Sequence, residues 1–172
     1  MSHLLEIDDL HASFGEGDKQ VKAVRGATFH INKGETVALV GESGSGKSVT
    51  ALSAMRLLPY PLAHHPAGAI SFKGEDLLTA PESRMRELRG NDMAMIFQEP
   101  LNSLNPLHGI EKQIAETLLL HKAMTPKQAH ARVIELLKLV GLDAAIDRLA
   151  SLPHEFSGGQ QQRVMIAMAL AN

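Results

Sequence analysis

Gly41-Glu42-Ser43-Gly44-Ser45-Gly46-Lys47-Ser48 is the stretch that decides how this chain is read. It has the spacing G-x-x-x-x-G-K-S. Just before it, Glu35-Thr36-Val37-Ala38-Leu39-Val40 is a short apolar run ending in glycine, which predicts a buried strand. Just after it, Ser48 to Leu58 predicts a helix that Pro59 ends. Strand, glycine-rich loop and helix together make the setting in which such a loop holds phosphate. The glycines let the backbone fold tightly, so that its N–H groups converge on phosphate oxygens. The helix N-terminus beyond them favours an anion through its unpaired donors and its dipole. In that arrangement Lys47 can reach the β- and γ-phosphates of a nucleotide, and Ser48 can offer its hydroxyl to Mg²⁺.

Working outward, Leu4 to Phe14 and Ala23 to Ile31 read as strands joined by a polar loop around Gly15–Lys19, and Asn32-Lys33-Gly34 as a turn. Ala69 to Phe72 predicts a short strand with a turn at Gly74. Thr79-Ala80-Pro81-Glu82 has capping-box spacing for a short helix reaching Gly90. Met93 to Phe97 is a second candidate for a buried strand. Ile110–Leu120 and Pro126–Val140 place Leu, Ile and Val at helical spacing. Thr125-Pro126-Lys127-Gln128 opens the latter with a cap, a proline at the first helical position and a glutamine three residues after the cap, and Gly141 closes it. A last helix is expected to start after Ser157 and to be still running at Asn172.

Composition sets outer bounds. The 172 residues suffice for one compact domain, with 44% hydrophobic and 21% charged residues. The formal net charge of −2 shows no basic excess, so nucleic acid is not an expected partner. No cysteine is present, which excludes disulfides and thiolate metal sites within these residues and fits a reducing cytoplasm. The first residues lack a basic-then-apolar signal pattern, and no run approaches the roughly 20 apolar residues that span a bilayer. His64, His65 and His154 lack partners at metal-ligand spacing, so no metal site is expected there.

A second glycine motif precedes the last helix: His154-Glu155-Phe156-Ser157-Gly158-Gly159-Gln160. Ser157 and Gln160 have the S-x-x-Q spacing of a capping box. Two glycines in a first helical turn cost roughly 1 kcal/mol each relative to alanine. Their presence implies that something approaches the backbone closely, and a helix N-terminus with bare donors is a ready anion site. A plain N-cap with a flexible entry fits the same residues.

Taken together, the two motifs resemble those of the nucleotide-binding subunits of ATP-binding-cassette (ABC) transporters. Ser157-Gly158-Gly159-Gln160 resembles the signature motif of that family, with Phe156 where leucine is most usual, and Gln161-Gln162-Arg163-Val164 continues it. Phe97-Gln98 resembles the Q-loop. The resemblance implies that Gln98 helps hold Mg²⁺ and the attacking water and senses a membrane subunit, that Lys47 and Gln98 carry the catalytic roles, and that Phe14 stacks on adenine. Core packing is the plain alternative for Phe14, a solvated polar residue for Gln98, and a surface charge or structural ion pair for Arg163.

Gln98-Glu99-Pro100-Leu101-Asn102-Ser103-Leu104-Asn105-Pro106, Met165-Ile166-Ala167-Met168-Ala169-Leu170 and the long loop at Pro59–Gly68 resemble the oligopeptide and dipeptide importers of the family. Nickel and glutathione importers share much of this pattern. The resemblance implies an α/β fold: a P-loop NTPase core of the ABC-ATPase type with an N-terminal antiparallel β portion and a helical subdomain. Residues of about 1–98 would form the core and about 99–165 the subdomain with the signature. ATP and Mg²⁺ are the implied cofactors. A second nucleotide-binding domain, paired head to tail, and transmembrane permease subunits are the implied partners. The implied location is peripheral, at the cytoplasmic face of the inner membrane.

Hydrolysis needs Mg²⁺ held from a second side and a group that orients water. In this family an apolar strand ending in aspartate, a following glutamate and a later histidine meet those needs. No such run follows Ser157. Earlier runs do not substitute: Leu4-Leu5-Glu6-Ile7-Asp8 precedes the phosphate loop, and Leu139-Val140-Gly141-Leu142-Asp143 is a helix end broken by glycine. The expectation is therefore a truncated cassette, its C-terminal part missing, with at least one central strand absent, weak Mg-ATP binding, poor stability and little turnover. A non-catalytic nucleotide-binding fragment is the alternative. An ABC-type ATPase acting on DNA is a remoter one, because no heptad run and no cysteine marks the insertions such proteins carry.

Overall fold

The computed structural model describes residues 3–98 and 103–172. Contacts group the chain into two compact units, Met1–Met85 and Arg86–Asn172.

In the first unit, alternating residues build an antiparallel sheet. β1 (Leu5–Phe14) and β2 (Val21–Ile31) pair from Leu5↔Ile31 to Phe14↔Val21. β3 (Ala63–His64) pairs with the far end of β1, at Ser13 and Phe14. β4 (Ala69–Phe72) pairs with the start of β1, and β5 (Glu75–Asp76) with β4, giving the order β2-β1-β4-β5. Ile7, Leu10 and Ala12 of β1 are buried with Ile70 and Phe72 of β4 and with Leu77. Fully burying side chains of this size stabilises by about 1.5–3 kcal/mol each. Gly68 enters β4 at φ +92°, where a Cβ would lie 2.3 Å from the Asp9 carbonyl oxygen, so only glycine lets this segment reach β1.

Helix α1 (Lys47–Ala54) follows the glycine loop. It is four residues shorter at its end than the predicted Ser48–Leu58, and Pro59 does not stop it. Arg56 does: it adopts φ 49°, and its guanidinium donates to the Ala80 carbonyl. The predicted buried strand Glu35–Val40 is not formed. These residues belong to no strand or helix, and Val40 is 91% exposed. A buried parallel strand exists only with neighbours on its flanks, and none of β1–β5 pairs with this run. Met93–Phe97 likewise forms no strand beyond an isolated bridge between Arg89 and Met93, and Ile96 and Phe97 are exposed.

α2 (Glu82–Leu88) spans the boundary between the units. In the second unit, α3 (Ile110–His121), α4 (Pro126–Leu139) and α5 (Gly158–Ala169) pack on one another. Ile110, Ile114 and Leu118 meet Val133, Leu136 and Leu137, with Val164 and Ala167 of α5 in the same cluster. Thr125 and Gln128 form the predicted capping box with proline at the helix start, and Gly141 closes α4 at φ 66°. α5 ends at Ala169 and does not continue to Asn172. The Asn172 amide donates to the Gly90 and Thr117 carbonyls, which draws the tail off the helical path.

Two consequences follow for stability. Leu136→Ala should cost about 2–5 kcal/mol in urea unfolding, while Leu139→Ala, at a site 68% exposed, should stay within about 0.5 kcal/mol. His65 gives a pH dependence. Its Nε2 lies 2.8 Å from the Tyr60 hydroxyl, and its Nδ1 lies 3.3 Å from the His11 carbonyl oxygen. Burial holds its pKa below the ordinary 6.5, assisted by the charges of Arg56 and His64 and opposed by the His11 carbonyl. The unfolded chain therefore takes the proton more readily, and stability falls as pH drops below about 6.5. His65→Gln should flatten that decline between about pH 7 and pH 5 in thermal unfolding.

Candidate nucleotide-binding site

The loop between Gly41 and Ser48 is built around one amine and one glycine. Lys47, the first residue of α1, turns its Nζ back over the loop. It donates to the carbonyl oxygens of Gly41 (2.8 Å) and Glu42 (2.6 Å) and to Ser45 Oγ (3.2 Å). The ammonium thus stands inside the curl of backbone that residues 41–45 describe. Gly46 caps the helix at φ 92°. A Cβ there would sit 2.5 Å from the Ala23 carbonyl oxygen and 3.2 Å from Val24 Cγ2, so the loop lies directly on β2. The helical bonding begins with the Thr50 amide donating to the Gly46 carbonyl at 2.8 Å, with Thr50 Oγ1 on the same oxygen. The earlier N–H groups of the turn have no helical acceptor. Ser48 is exposed on that first turn.

Beside the loop runs a cleft of about 430 Å³ lined by residues 22–27 of β2 together with Gly44, Ser45 and Thr50. Lys22 and Arg25 are among its lining residues and no acid is, which favours an anionic guest. Sequence reading missed these two side chains, because a basic residue on a strand carries no motif. Gly44 at φ 81° faces open space, so nothing in the chain obstructs approach to the loop backbone at that point. Phe14 sits half-buried at the end of β1, paired with Val21 and Ala63, and does not line this cleft.

The second motif lies in the other unit. Ser157 caps α5: its Oγ accepts from the Gln160 amide at 3.4 Å, and Gln160 Oε1 accepts from the Ser157 amide at 2.9 Å, the predicted capping box. Gly158 and Gly159 are exposed, with no atom near the position a Cβ would take. Phe156 is buried, under the Arg148 guanidinium. Gln161 is 3% exposed, and its Nε2 donates to the carbonyls of Pro153 (2.8 Å) and Phe156 (3.0 Å), pinning the chain that enters the motif. Sequence reading did not single it out, although a polar residue three and four places before buried Val164 and Met165 is the signal. Arg163 is the exposed helix-surface charge considered for it. Its Nη1 donates to the carbonyls of Val140 and Gly141 and so caps the C-terminus of α4.

Gln98 is exposed in a bend of the second unit. Glu99, Pro100, Leu101 and Asn102 lie outside the described residues. Asn105, later in the same segment, is held by Gln113, which is buried on α3: the Asn105 amide donates to Gln113 Oε1 at 2.8 Å, and Gln113 Nε2 donates to the carbonyls of Asn105 and His108.

The chain is similar to known proteins along nearly all its length. It is 58% identical over 169 residues to a peptidoglycan transport ATP-binding protein of Agrobacterium fabrum, covering 98% of this chain and 31% of that protein. It is 48% identical over 171 residues to an oligopeptide transport ATP-binding protein of Bacillus subtilis, covering 99% of this chain and 48% of that one. The chain thus spans at most about half the length of these two relatives. Among solved structures, a dimeric ATP-binding cassette in a post-hydrolysis state with ADP and Pi superposes with a TM-score of 0.83 at 26% identity, over 98% of this chain and 69% of that one. The fold is thus the α/β fold of ABC ATPase cassettes, its antiparallel sheet and helices included. The pattern that defines ABC transporters matches residues 24–172, from β2 through the lysine-centred loop to the capped glycines of α5, and the chain belongs to that family.

Proposed function

We propose that this chain is the ATP-binding part of an ABC importer subunit whose cargo is peptide. The observation that carries the reading is the Lys47 ammonium, held inside the Gly41–Ser45 curl at the mouth of α1. A phosphate entering there exchanges carbonyl contacts of the lysine for charged ones, which are stronger. Gly41, Glu42, Ser43, Gly44, Ser45 and Gly46 supply backbone donors, and Ser48 with Gln98 would hold Mg²⁺, which neutralises phosphate charge when bound. Phe14 is assigned to adenine. Ser157, Gly158, Gly159 and Gln160 are assigned to the nucleotide of a second cassette paired head to tail, an arrangement supported by the dimeric solved cassettes. Residues of about 1–98 then form the nucleotide core and about 99–165 the subdomain with the signature. Peptide as cargo rests on the names of relatives: oligopeptide, dipeptide and peptidoglycan transport. Permease partners and a place at the cytoplasmic face of the membrane belong to the same reading; no helix among the described residues is long and apolar enough to cross a membrane.

A second reading, a nucleotide binder without turnover, is favoured by coverage: the chain spans 69% of a solved cassette and 31% and 48% of two relatives. We assign hydrolysis to a complete cassette and binding to this chain.

Titration of a fluorescent ATP analogue with Mg²⁺ should give saturable binding that Lys47→Ala weakens about 10- to 100-fold, the equivalent of one charge-assisted contact. Equal affinity in the variant would sink the assignment of the loop. Phosphate release from Mg-ATP should not exceed that of the Lys47→Ala control. Release that depends on Lys47 would show that a carboxylate among these residues already does the work.

A further inference from the structure

We infer that a small cavity on the sheet, beside the nucleotide cleft, is a second ligand site, which takes a singly charged carboxylate carried on an apolar body, as at the C-terminal end of an apolar peptide. The cavity measures about 300 Å³, at the lower end of the range for small-molecule pockets. Its polar wall comes from His11 and Ser13 of β1 and from Gln20 and Lys22. Its apolar wall comes from Ala12, Val24, Pro66 and Ala67. Main chain fixes both walls. Ser13 and Lys22 are cross-strand partners. The Ala67 carbonyl accepts from the His11 amide at 3.0 Å, and Gly68 rests on the Asp9 carbonyl. A cavity held this way needs little ordering to bind.

Unspent groups select the ligand. Among the described residues, the Lys22 ammonium has no ion-pair or hydrogen-bond partner. Ser13 is 2% exposed, and its hydroxyl accepts from Gln20 Nε2 at 3.2 Å, which leaves its own proton without an acceptor. A carboxylate completes both groups, with one oxygen on the hydroxyl and one on the ammonium. His11 is already engaged, its Nε2 lying 3.2 Å from Asp9 Oδ1. The Asp9 carboxylate behind it opposes a second negative charge, which favours a monoanion over phosphate. The apolar wall gains nothing from a bare anion and covers the body that carries it. The site rests on no part of the nucleotide reading, although Lys22 and Val24 also line the nucleotide cleft.

Titration of the isotope-labelled chain with N-acetyl-leucine, without nucleotide, tests it through amide chemical shifts. Saturable shifts should appear at Ser13, Gln20, Lys22 and Ala67. N-acetyl-leucinamide, which lacks the carboxylate, should bind about tenfold more weakly. Lys22→Gln should weaken binding of N-acetyl-leucine about tenfold, and Ser13→Ala about fivefold. Lys127→Gln removes the same charge at an exposed site on α4 and should change nothing. Lys47→Ala should also leave binding intact, so loss of nucleotide binding and loss of the carboxylate site are read separately. Absence of saturable shifts overturns the inference. So does equal binding of the amide, or indifference to Lys22→Gln. Loss of binding in Lys47→Ala overturns it too, because the carboxylate would then sit on the glycine loop.

Discussion

The contact between Gly46 and β2 sets the position of everything at the candidate site. The Ala23 carbonyl lies where a Cβ of residue 46 would be, 2.5 Å away. Such an approach is open only to glycine, and the φ of 92° at the same residue makes the same demand. With that contact in place, α1 must start at Lys47, its first N–H groups must open toward residues 41–45, and the ammonium falls within reach of the Gly41 and Glu42 carbonyls. A side chain at residue 46 would lift the loop off the strand and carry the helix start with it. The candidate site is thus a property of the packing of loop on sheet, and the lysine is aimed by backbone geometry.

The second unit solves a different problem by related means. Its loops are held by long polar side chains that reach backbone carbonyls. Gln113 ties down Asn105 and His108, Gln161 ties down Pro153 and Phe156, and Arg163 closes the end of α4. Gln113 and Gln161 are nearly fully buried. A buried carbonyl without a donor costs about 1–3 kcal/mol, so Gln161, whose two bonds are buried, removes a penalty that its loop would otherwise carry. At the start of α3, main chain serves the same end: the Ile110 and Glu111 amides donate to the Ser151 and Leu149 carbonyls.

What could be read in the sequence divides along the range of the interactions. Capping boxes at Thr125 and Ser157, the close of α4 at Gly141, and the helical stripes of α3 and α4 are set by residues three or four apart, and all are present as read. The pairing of β1 with β2 was legible from two alternating runs and a polar loop. The runs at 35–40 and 93–97 were not, because an apolar stretch becomes a strand only when another strand lies beside it. The end of α1 was missed for a related reason: Arg56 is drawn out of the helix by a carbonyl 24 positions away, at Ala80. At the site, the motif residues were legible, whereas Lys22, Arg25, Gln113 and Gln161 were not, since their roles depend on what the fold places near them.

The two helix starts that carry glycine motifs are built for unlike tasks. At α1 the loop brings a cation of its own, basic side chains line the adjoining cleft, and glycine rather than a side chain caps the helix. Such a start can take several negative charges alone. At α5 the cap is Ser157, and its bond to the Gln160 amide is long at 3.4 Å. That bond is weak, so the hydroxyl and the amide can both be turned to a ligand at small cost. Gly158 and Gly159 leave their surroundings open, yet Gln161 and Phe156 hold the base of the motif rigidly in the core. A firm base beneath an uncovered, uncharged row of donors suits a partner that already carries its own neutralising groups. On the proposed reading, that partner is a nucleotide seated on the lysine loop of another cassette.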